Sequence, residues 1–228
     1  MPTGALRAAI NLGNPVLAQG TASAPAGVTV DIARALATRL GVPVELVCFD
    51  AARESFEALS QRSVDICFLA IEPEREATVA FTAPYVVIEG VYAVRADSEI
   101  ATAADVDRDG VRVGVKRGSA YDLFLSRTLR HATVVRADET ADLSRDDAVD
   151  VVAGIRQPMT RLVADDPGFR LLGGRFMEIR QALGTTRERA PATISFLHDF
   201  VEELKENGFI DDALRRANQL DVAVAPAA

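Results

Sequence analysis

The sequence predicts an α/β fold in which a largely parallel sheet is covered by helices. Apolar runs rich in Val and Ile alternate with segments of helical periodicity nearly throughout the 228 residues, as is typical of strands buried by helices on both faces. A chain of 228 residues fits one large domain or two lobes of about 100 residues each. We predict strands at Leu6–Leu12, Val44–Phe49, Val64–Ile71, Val111–Lys116, Thr133–Arg136 and Asp150–Ile155.

Two helices are clearly marked by their apolar periodicity. Ile32, Leu36 and Leu40 recur at a spacing of four, and Gly41 follows them, so we predict a helix that ends there. A second apolar stripe runs from Ile194 to Leu204 and predicts an amphipathic helix near the C-terminus.

Composition and charge exclude several classes of protein. The 33 acidic and 25 basic residues give a net charge of -8, and the basic residues are scattered, so we expect no nucleic-acid partner. The longest apolar stretches, Val64–Ile71 and Ala83–Val94, are shorter than the ~20 residues of a membrane span, so we expect no membrane insertion. The N-terminal residues lack an uninterrupted apolar segment, and we expect no signal peptide in this chain.

Motifs of catalysis and metal binding are missing from the sequence. It has no Gly-rich phosphate loop and no HExxH, CxxC or GxSxG motif, so we expect no cofactor and no metal. Cys48 and Cys67 each lie in a strand-like apolar run and are predicted to be buried as small hydrophobic residues. His131 precedes a predicted strand and His198 lies on the C-terminal helix, where we expect surface roles.

A short internal similarity suggests two related lobes. Leu6–Asn14 and Val111–Ser119 share the order of strand, glycine and small polar residue, and comparable patterns follow both. Between them, Val86–Val94 is long, apolar and β-branched, as expected of a strand that crosses from one lobe to the other. The chain is therefore predicted to leave the first lobe near Glu89.

Arg75 has the position of a ligand-binding residue. It follows a buried strand that ends near Ile71, and Pro73 fits the first turn of a short helix. Open α/β sheets bind ligands at the carboxyl ends of their strands, and a planar guanidinium matches a carboxylate. The position predicts either a ligand carboxylate or an ion pair with Glu72 or Glu76.

The residues around this arginine resemble the signature of a known family. Ile71–Arg75 reads IEPER and Ala80–Tyr85 reads AFTAPY, similar to the TPxR and FSxPY motifs of the family 3 bacterial extracellular solute-binding proteins, the amino-acid receptors of ABC importers. Val28–Ala37 resembles a helix of that family, and Phe209–Leu214 resembles its C-terminal helix. The resemblance covers nearly the whole chain.

The resemblance implies a two-lobed type II periplasmic-binding-protein fold with two crossover hinge strands and a ligand cleft between the lobes. Residues 1–89 plus 183–228 would form lobe one, and residues 90–182 would form lobe two. It implies a monomer that binds a small carboxylate and docks to an ABC permease. The expected location is periplasmic, although a cytoplasmic location stays open without a signal peptide.

Family resemblance also implies two anchors for the ligand carboxylate. The arginine of the family signature clamps this group and corresponds to Arg75. Gly118 and Ser119 follow a strand and begin a helix, with Asp122 three residues after the N-cap Ser119. Such a helix start presents backbone N–H groups and a positive dipole end, which would bind the same carboxylate from lobe two.

Four residues depart from the family pattern and make the side-chain pocket unusual. Ala70 stands where a hydroxyl side chain is common, and Glu72 stands where Thr is usual. Arg156 and Gln157 follow a predicted strand at the place where the family commonly has an Asp for the ligand ammonium. A cation would repel an ammonium, so either Glu72 binds that group or the ligand lacks a free amine.

Further candidate ligand contacts are Asn11, Asn14, Tyr121 and Glu89. The two asparagines would hydrogen-bond the ligand or shape a turn, and Tyr121 would point from the first turn of a helix beside the cleft. Glu89 interrupts a strand that should be buried, and a buried acid requires a partner. We expect Arg180 or the ligand to be that partner.

Two alternatives to a transport receptor stay open. Cyclohexadienyl and arogenate dehydratases share this fold and much of the signature, and Glu72 or Glu89 would then protonate a departing hydroxyl. The fold also serves as a sensory ligand-binding domain. Turnover of prephenate or arogenate would indicate the enzyme, whereas docking to a kinase rather than a permease would indicate the sensor.

Overall fold

The computed structural model describes residues 4–145 and 149–228. Its strands are β1 (Leu6–Asn11), β2 (Gln19–Thr21), β3 (Ala24–Ala26), β4 (Val44–Phe49), β5 (Cys67–Ala70), β6 (Val79–Arg95), β7 (Arg112–Lys116), β8 (Thr133–Ala137), β9 (Val151–Ile155), β10 (Phe169–Leu171), β11 (Met177–Thr186) and β12 (Ala223–Val224). Its helices are α1 (Val28–Leu40), α2 (Ala52–Ser60), α3 (Pro73–Glu76), α4 (Ala120–Thr128), α5 (Thr140–Arg145), α6 (Arg156–Asp165), α7 (Pro191–Glu206) and α8 (Phe209–Arg216), with a 3₁₀ turn at Ala103–Asp105. The predicted α/β class is confirmed, but the expected largely parallel sheet is wrong, because parallel pairs (β1 with β4, β7 with β8) occur beside antiparallel ones (β5 with β11, β6 with β9).

The chain divides into two compact units. Unit one comprises Met1–Val87 and Arg180–Ala228, and unit two comprises Ile88–Ile179. Both boundaries fall inside long strands, β6 and β11. The boundaries predicted from the sequence, at residues 89 and 183, lie in the same two strands.

Unit one contains parallel and antiparallel strand pairs. β1 and β4 are parallel from Leu6 with Val44 to Asn11 with Phe49, and a parallel bridge joins Ala8 to Ile66. β5 is antiparallel to β11. Helix α2 packs its apolar side against this region, forming one core cluster. The carboxyl ends of β1 and β5, where Asn11 and Ala70 lie, therefore belong to one unit.

Helix α1 ends where the sequence pattern predicts, at Leu40 before Gly41. Ile32 and Leu36 are fully buried, whereas Leu40 at the helix end is 38% exposed. Gly41 adopts a left-handed φ of 65°, and its N–H donates to the carbonyl of Thr38 at 3.1 Å. A glycine meets this requirement without the steric cost that a Cβ would add.

Unit two is built on three neighbouring strands that run in one direction. β7 is parallel to β8 and to β9, and β9 is antiparallel to β6. Met159 packs directly on Gly154. A side chain at this position would not fit, since a Cβ would lie 2.6 Å from the Met159 sulfur. β7 and β9 thus end at the same edge, and α6 begins immediately after β9.

The sequence did not predict every strand. β11 lacks a run of β-branched residues: only its first half alternates between buried and exposed positions, and Leu183 and Gly184 are both buried. β2, β3 and β10 have three residues each, too few for a periodic pattern. Within the described residues, no helix is long and apolar enough to cross a membrane.

Asp65 in unit one is a buried acid that two arginines bind. Its carboxylate accepts hydrogen bonds from Nε of Arg7 at 3.1 Å, from the backbone N–H of Arg7 at 3.0 Å and from Nη2 of Arg189 at 2.9 Å. Burial raises the pKa of Asp65, but the bonds and charges of the two arginines outweigh burial and hold this pKa below its usual value. The network joins β1, the residues before β5 and the residues after β11.

We predict that Asp65→Asn lowers the free energy of unfolding by about 1–3 kcal/mol at neutral pH, because it leaves two arginine charges without their counterion. Since the folded-state pKa is depressed, this contribution is present above the unfolded pKa of about 4 and is lost as the pH falls through the folded-state value. Urea unfolding at several pH values measures it.

Asp211→Asn is the matched control for this prediction. Asp211 pairs with Arg215 on the surface, where both side chains are more than half exposed, so its replacement should change stability by less than about 0.5 kcal/mol. Equal effects of the two substitutions would contradict the importance of the buried network.

Candidate functional site

The candidate site in unit one is built around Arg75. β5 ends at Ala70, Glu72 precedes the first helical residue, and Pro73 occupies the first turn of α3, as the sequence predicts. Arg75 is 3% exposed, and its Nη1 donates to the carbonyl of Ala70 at 3.1 Å. The guanidinium is therefore fixed at the carboxyl end of β5.

A buried acid lies beside this guanidinium. Glu72 is 3% exposed, and its backbone carbonyl accepts the N–H of Arg75 at 2.9 Å. Burial lowers the pKa of Arg75, while the negative charge of Glu72 raises it. A guanidinium stays charged in a protein, and a buried charge requires a partner of opposite sign. Glu72 supplies a negative charge near the buried Arg75.

The interior behind Arg75 is apolar but contains two titratable groups. Cys67 is fully buried, and burial raises the pKa of its thiol to about 12, against the lowering effect of the Arg75 charge. This confirms the expected burial of Cys67, whereas Cys48 is only half-buried. Tyr85 is also fully buried and meets Phe68 edge to face at 6.1 Å. In the described part of the chain, the Tyr85 hydroxyl has no hydrogen-bond partner.

Asn11 and Asn14 shape the loop after β1. The side-chain oxygen of Asn11 accepts the backbone N–H of Gly13 at 3.0 Å, and that of Asn14 accepts the N–H of Val16 at 3.2 Å. Gly13 has no room for a side chain, because a Cβ would lie 2.0 Å from the carbonyl oxygen of Asp50. The turn interpretation thus explains both oxygens, and ligand contact by either asparagine stays a prediction.

Unit two places two candidate segments at one edge of its sheet. β7 and β9 are parallel neighbours. Gly118 and Ser119 follow β7, while Arg156 and Gln157 follow β9 as the first residues of α6. The sequence predicts that each segment follows a strand, but not that the two strands are neighbours. The parallel pairing of β7 with β9 places both segments at the same edge of the sheet.

The start of α4 differs in one respect from the expected capping. The hydroxyl of Ser119 accepts the N–H of Asp122 at 3.0 Å, as predicted for an N-cap. The N–H of Gly118, however, already donates to the Asp122 carboxylate at 2.8 Å. The backbone N–H groups of Ala120 and Tyr121 have no hydrogen-bond partner among the described residues. These two groups, rather than the N–H of Gly118, are the donors that the helix start can offer.

Tyr121 lies in the interior of unit two. It is 5% exposed, and burial raises the pKa of its hydroxyl, against the lowering effect of hydrogen bonds with Thr140, Ser119 and the backbone of Lys116. A direct contact between Tyr121 and a ligand stays a prediction.

Glu89 binds two arginines of unit two, which corrects the expected pairing with Arg180. Its carboxylate accepts hydrogen bonds from Arg156 and from Nη1 of Arg175 at 3.1 Å. Arg175 also reaches Glu178 at 2.6 Å. The hydrogen bond from Arg156 lowers the pKa of Glu89, and Arg175 lowers it further, against the effect of burial.

This network changes the expectation for Arg156. Two of its nitrogens donate to protein groups, Nε to Glu89 and Nη2 to the carbonyl of Gly174 at 2.7 Å. Its charge is therefore compensated within unit two. Arg175 was not predicted from the sequence, because it lies in the irregular segment before β11 and carries no periodic signal.

Gln157 contributes an acceptor at the same edge. Its side-chain oxygen is buried and has no hydrogen-bond partner within the described ranges. A buried amide oxygen without a donor is costly, so a donor from outside the protein would stabilise it. This is the property expected of a ligand contact.

The two histidines have different surroundings. His131 lies at the surface beside Asp109 at 3.4 Å. His198 is half-buried, and its Nε2 accepts the backbone N–H of Ala83 at 3.1 Å, so the expected surface role of His198 is wrong. This bond ties α7 to β6. In residues 4–145 and 149–228, no group of three or more His, Cys, Asp or Glu side chains could hold a metal ion.

Comparisons with known proteins identify similar folds. The model of the bacterial extracellular solute-binding proteins, family 3, matches residues 6–218. A mutant of ArgBP from T. maritima has a TM-score of 0.78 at 25% identity, over 95% of this chain and 96% of that chain. The amino acid ABC transporter substrate-binding protein AbpA from Streptococcus pneumoniae, bound to L-arginine, has a TM-score of 0.77 at 19% identity, over 97% and 98% of the two chains.

A sensor protein is similar as well. A histidine kinase sensor domain with similarity to periplasmic binding proteins has a TM-score of 0.80 at 19% identity, over 97% of this chain and 98% of that chain. At this identity, the likeness shows the fold alone. A comparison with curated proteins finds no match.

We predict that Tyr85→Phe leaves the free energy of unfolding unchanged or raises it by up to about 1 kcal/mol, because a buried hydroxyl without a partner is removed. Tyr121→Phe is the matched comparison and should lose about 1 kcal/mol, since its hydroxyl is hydrogen-bonded. Thermal and urea unfolding measure both variants. A larger loss for Tyr85→Phe than for Tyr121→Phe would show that Tyr85 has a partner.

Proposed function

Because this chain belongs to the family 3 bacterial extracellular solute-binding proteins, we propose that it is the solute receptor of an ABC-type importer. Its ligand is a small carboxylate-bearing solute, an amino acid or a related organic acid. Similarity to AbpA, an amino acid ABC transporter substrate-binding protein bound to L-arginine, supports this class of ligand. The proposed partner is a permease, and the proposed location is outside the cytoplasmic membrane.

The observation that carries this proposal is the buried guanidinium of Arg75. It lies at the carboxyl end of β5, is 3% exposed and is oriented by the carbonyl of Ala70. A guanidinium fork binds a carboxylate with two parallel hydrogen bonds, and water exclusion strengthens that pair. We assign the ligand carboxylate to this residue.

Unit two offers donors suited to the same chemical group. The N–H groups of Ala120 and Tyr121 begin α4, and the positive end of the helix dipole favours an anion there. Ser119 adds a hydroxyl. Gly118 contributes through its backbone, because its φ of 67° is the left-handed conformation that turns the chain from β7 into the helix.

The charges of the two units support a ligand that also carries a hydrogen-bond donor. In unit one, Glu72 is a buried acid next to Arg75, and we propose it as the partner of a ligand ammonium. In unit two, the side-chain oxygen of Gln157 has no donor among the residues that the structure describes. Arg156 is compensated by Glu89, so its charge is a weaker obstacle to an amine than the sequence suggested.

We predict that Arg75→Met weakens binding of L-arginine, L-lysine or L-glutamine by at least about 100-fold, because the carboxylate loses its charged partner. Arg75→Lys should recover only part of the affinity, since an ammonium lacks the planar fork. Isothermal titration calorimetry measures the affinities, and circular dichroism checks folding.

Arg53→Met is the matched control, because it removes a half-exposed arginine of unit one that pairs with Glu54. Its affinities should equal those of the unmodified protein. Undiminished binding by Arg75→Met would contradict the assignment of the carboxylate to Arg75.

We predict that Arg156→Gln shifts the rank order of affinities toward ligands with an extra amine, such as L-lysine, and away from dicarboxylates, such as succinate. The reason is that, of its two arginine partners among the described residues, Glu89 would keep Arg175 alone. The remaining negative charge would favour an amine and disfavour a second carboxylate. Arg170→Gln removes the same charge from β10, where Arg170 donates to backbone carbonyls, and should leave the order unchanged. An unaltered order in Arg156→Gln would remove Arg156 from the pocket.

A second candidate function is that of a sensory ligand-binding domain, favoured by the similarity to a histidine kinase sensor domain. Co-purification with a permease supports the importer, and co-purification with a kinase supports the sensor. The dehydratase alternative has a separate test, since incubation with prephenate or arogenate would consume the compound.

A further inference from the structure

The carboxylate of Asp122 lies at the start of helix α4, where the proposed function requires an anionic ligand. One of its oxygens accepts the N–H of Gly118 at 2.8 Å, and its own backbone N–H donates to the Ser119 hydroxyl at 3.0 Å. Its side chain is only 5% exposed. A buried negative charge thus lies within one helical turn of the N–H groups of Ala120 and Tyr121.

Such a charge has opposite effects on structure and on binding. It fixes the chain before the helix, because it accepts the Gly118 N–H. It also repels a second anion in the same place, since two like charges in a partly desolvated site destabilise each other. An uncompensated Asp122 would therefore weaken binding of a carboxylate at this helix start.

Arg136 on β8 compensates this charge. Its Nε donates to both carboxylate oxygens of Asp122, at 2.9 Å and 3.1 Å, and its Nη2 donates to the hydroxyl of Ser126 at 2.6 Å. Ser126 in turn donates to Asp122 at 3.1 Å. The three side chains form a closed network that holds the Asp122 carboxylate in one orientation.

Other cations near this edge are engaged by their own acids. Lys116 at the end of β7 pairs with Glu139 at 3.1 Å, and Arg117 pairs with Asp138 at 3.4 Å. In the described part of the chain, Arg136 is the cation that forms a salt bridge with Asp122. Its loss would therefore leave the negative charge of Asp122 next to the anion site.

We propose that Arg136 is a positioning residue for ligand binding: through Asp122 it fixes Gly118 and neutralises the charge that would otherwise repel an anion from the N–H groups of Ala120 and Tyr121. The proposal rests on the proposed function, because that function requires a ligand with a carboxylate. It adds a residue that contacts no ligand and acts from a neighbouring strand.

The test uses acetate as a minimal carboxylate probe and the full chain in solution. Acetate titration is followed through the backbone amide NMR signals of Ala120 and Tyr121. These signals should shift in the unmodified protein. Arg136→Gln should weaken acetate binding by roughly tenfold, because the buried charge of Asp122 would then repel the anion without compensation.

The decisive variant is the double substitution Arg136→Gln with Asp122→Asn. Asparagine keeps an oxygen for the Gly118 N–H but removes the charge, so acetate affinity should return to within about twofold of the original. Asp122→Asn alone should bind acetate as tightly as the unmodified protein or more tightly. Arg127→Gln, which removes a cation from the other end of α4, should have no effect.

Three results would overturn the proposal: no acetate response at Ala120 and Tyr121, no effect of Arg136→Gln, or a loss that Asp122→Asn fails to restore. The last result would mean that Arg136 acts only on folding, which thermal unfolding of the same variants would reveal. These outcomes are separate from a failure of the proposed function, because amino-acid binding and its dependence on Arg75 are measured by calorimetry without acetate.

Discussion

The buried charge of Arg75 is the constraint on which the candidate site of unit one depends. A guanidinium does not lose its proton in a protein, so burial to 3% exposure requires compensating groups around it. The carbonyl of Ala70 accepts one of its N–H groups, and Glu72 supplies a negative charge. The short strand β5 and the proline that begins α3 bring these groups together. The proposed amino-acid ligand would keep this balance, with its carboxylate on Arg75 and its ammonium on Glu72.

Unit two follows the same rule with different residues. Its candidate segments lie at the carboxyl ends of two parallel strands, and each nearby charge has a partner within the unit. Glu89 is compensated by Arg156 and Arg175, and Asp122 is compensated by Arg136. In the proposed site, compensation of this kind would keep the helix start available to an anion and would lower the repulsion between Arg156 and an amine.

The sequence predicted the fold class, most long elements and the position of Arg75, because these depend on local patterns: apolar periodicity, Pro73 and the glycine that ends α1. It could not predict pairings between distant residues. Arg156 and Glu89 are 67 positions apart, and Ala83 and His198 are 115 apart. Strand β11 was missed because its second half is buried without alternation, so no period of two marks it. The identity of the ligand depends on such distant pairings and stays a proposal.

The proposed function requires that the chain bind a small carboxylate without transforming it. Mass spectrometry of the small molecules released when the purified protein is denatured tests this claim most directly. We predict one carboxylate-bearing compound in a stoichiometric amount, which raises the unfolding temperature when it is added back and is recovered unchanged. Stabilisation only by compounds without a carboxylate, or consumption of the added compound, would contradict the account.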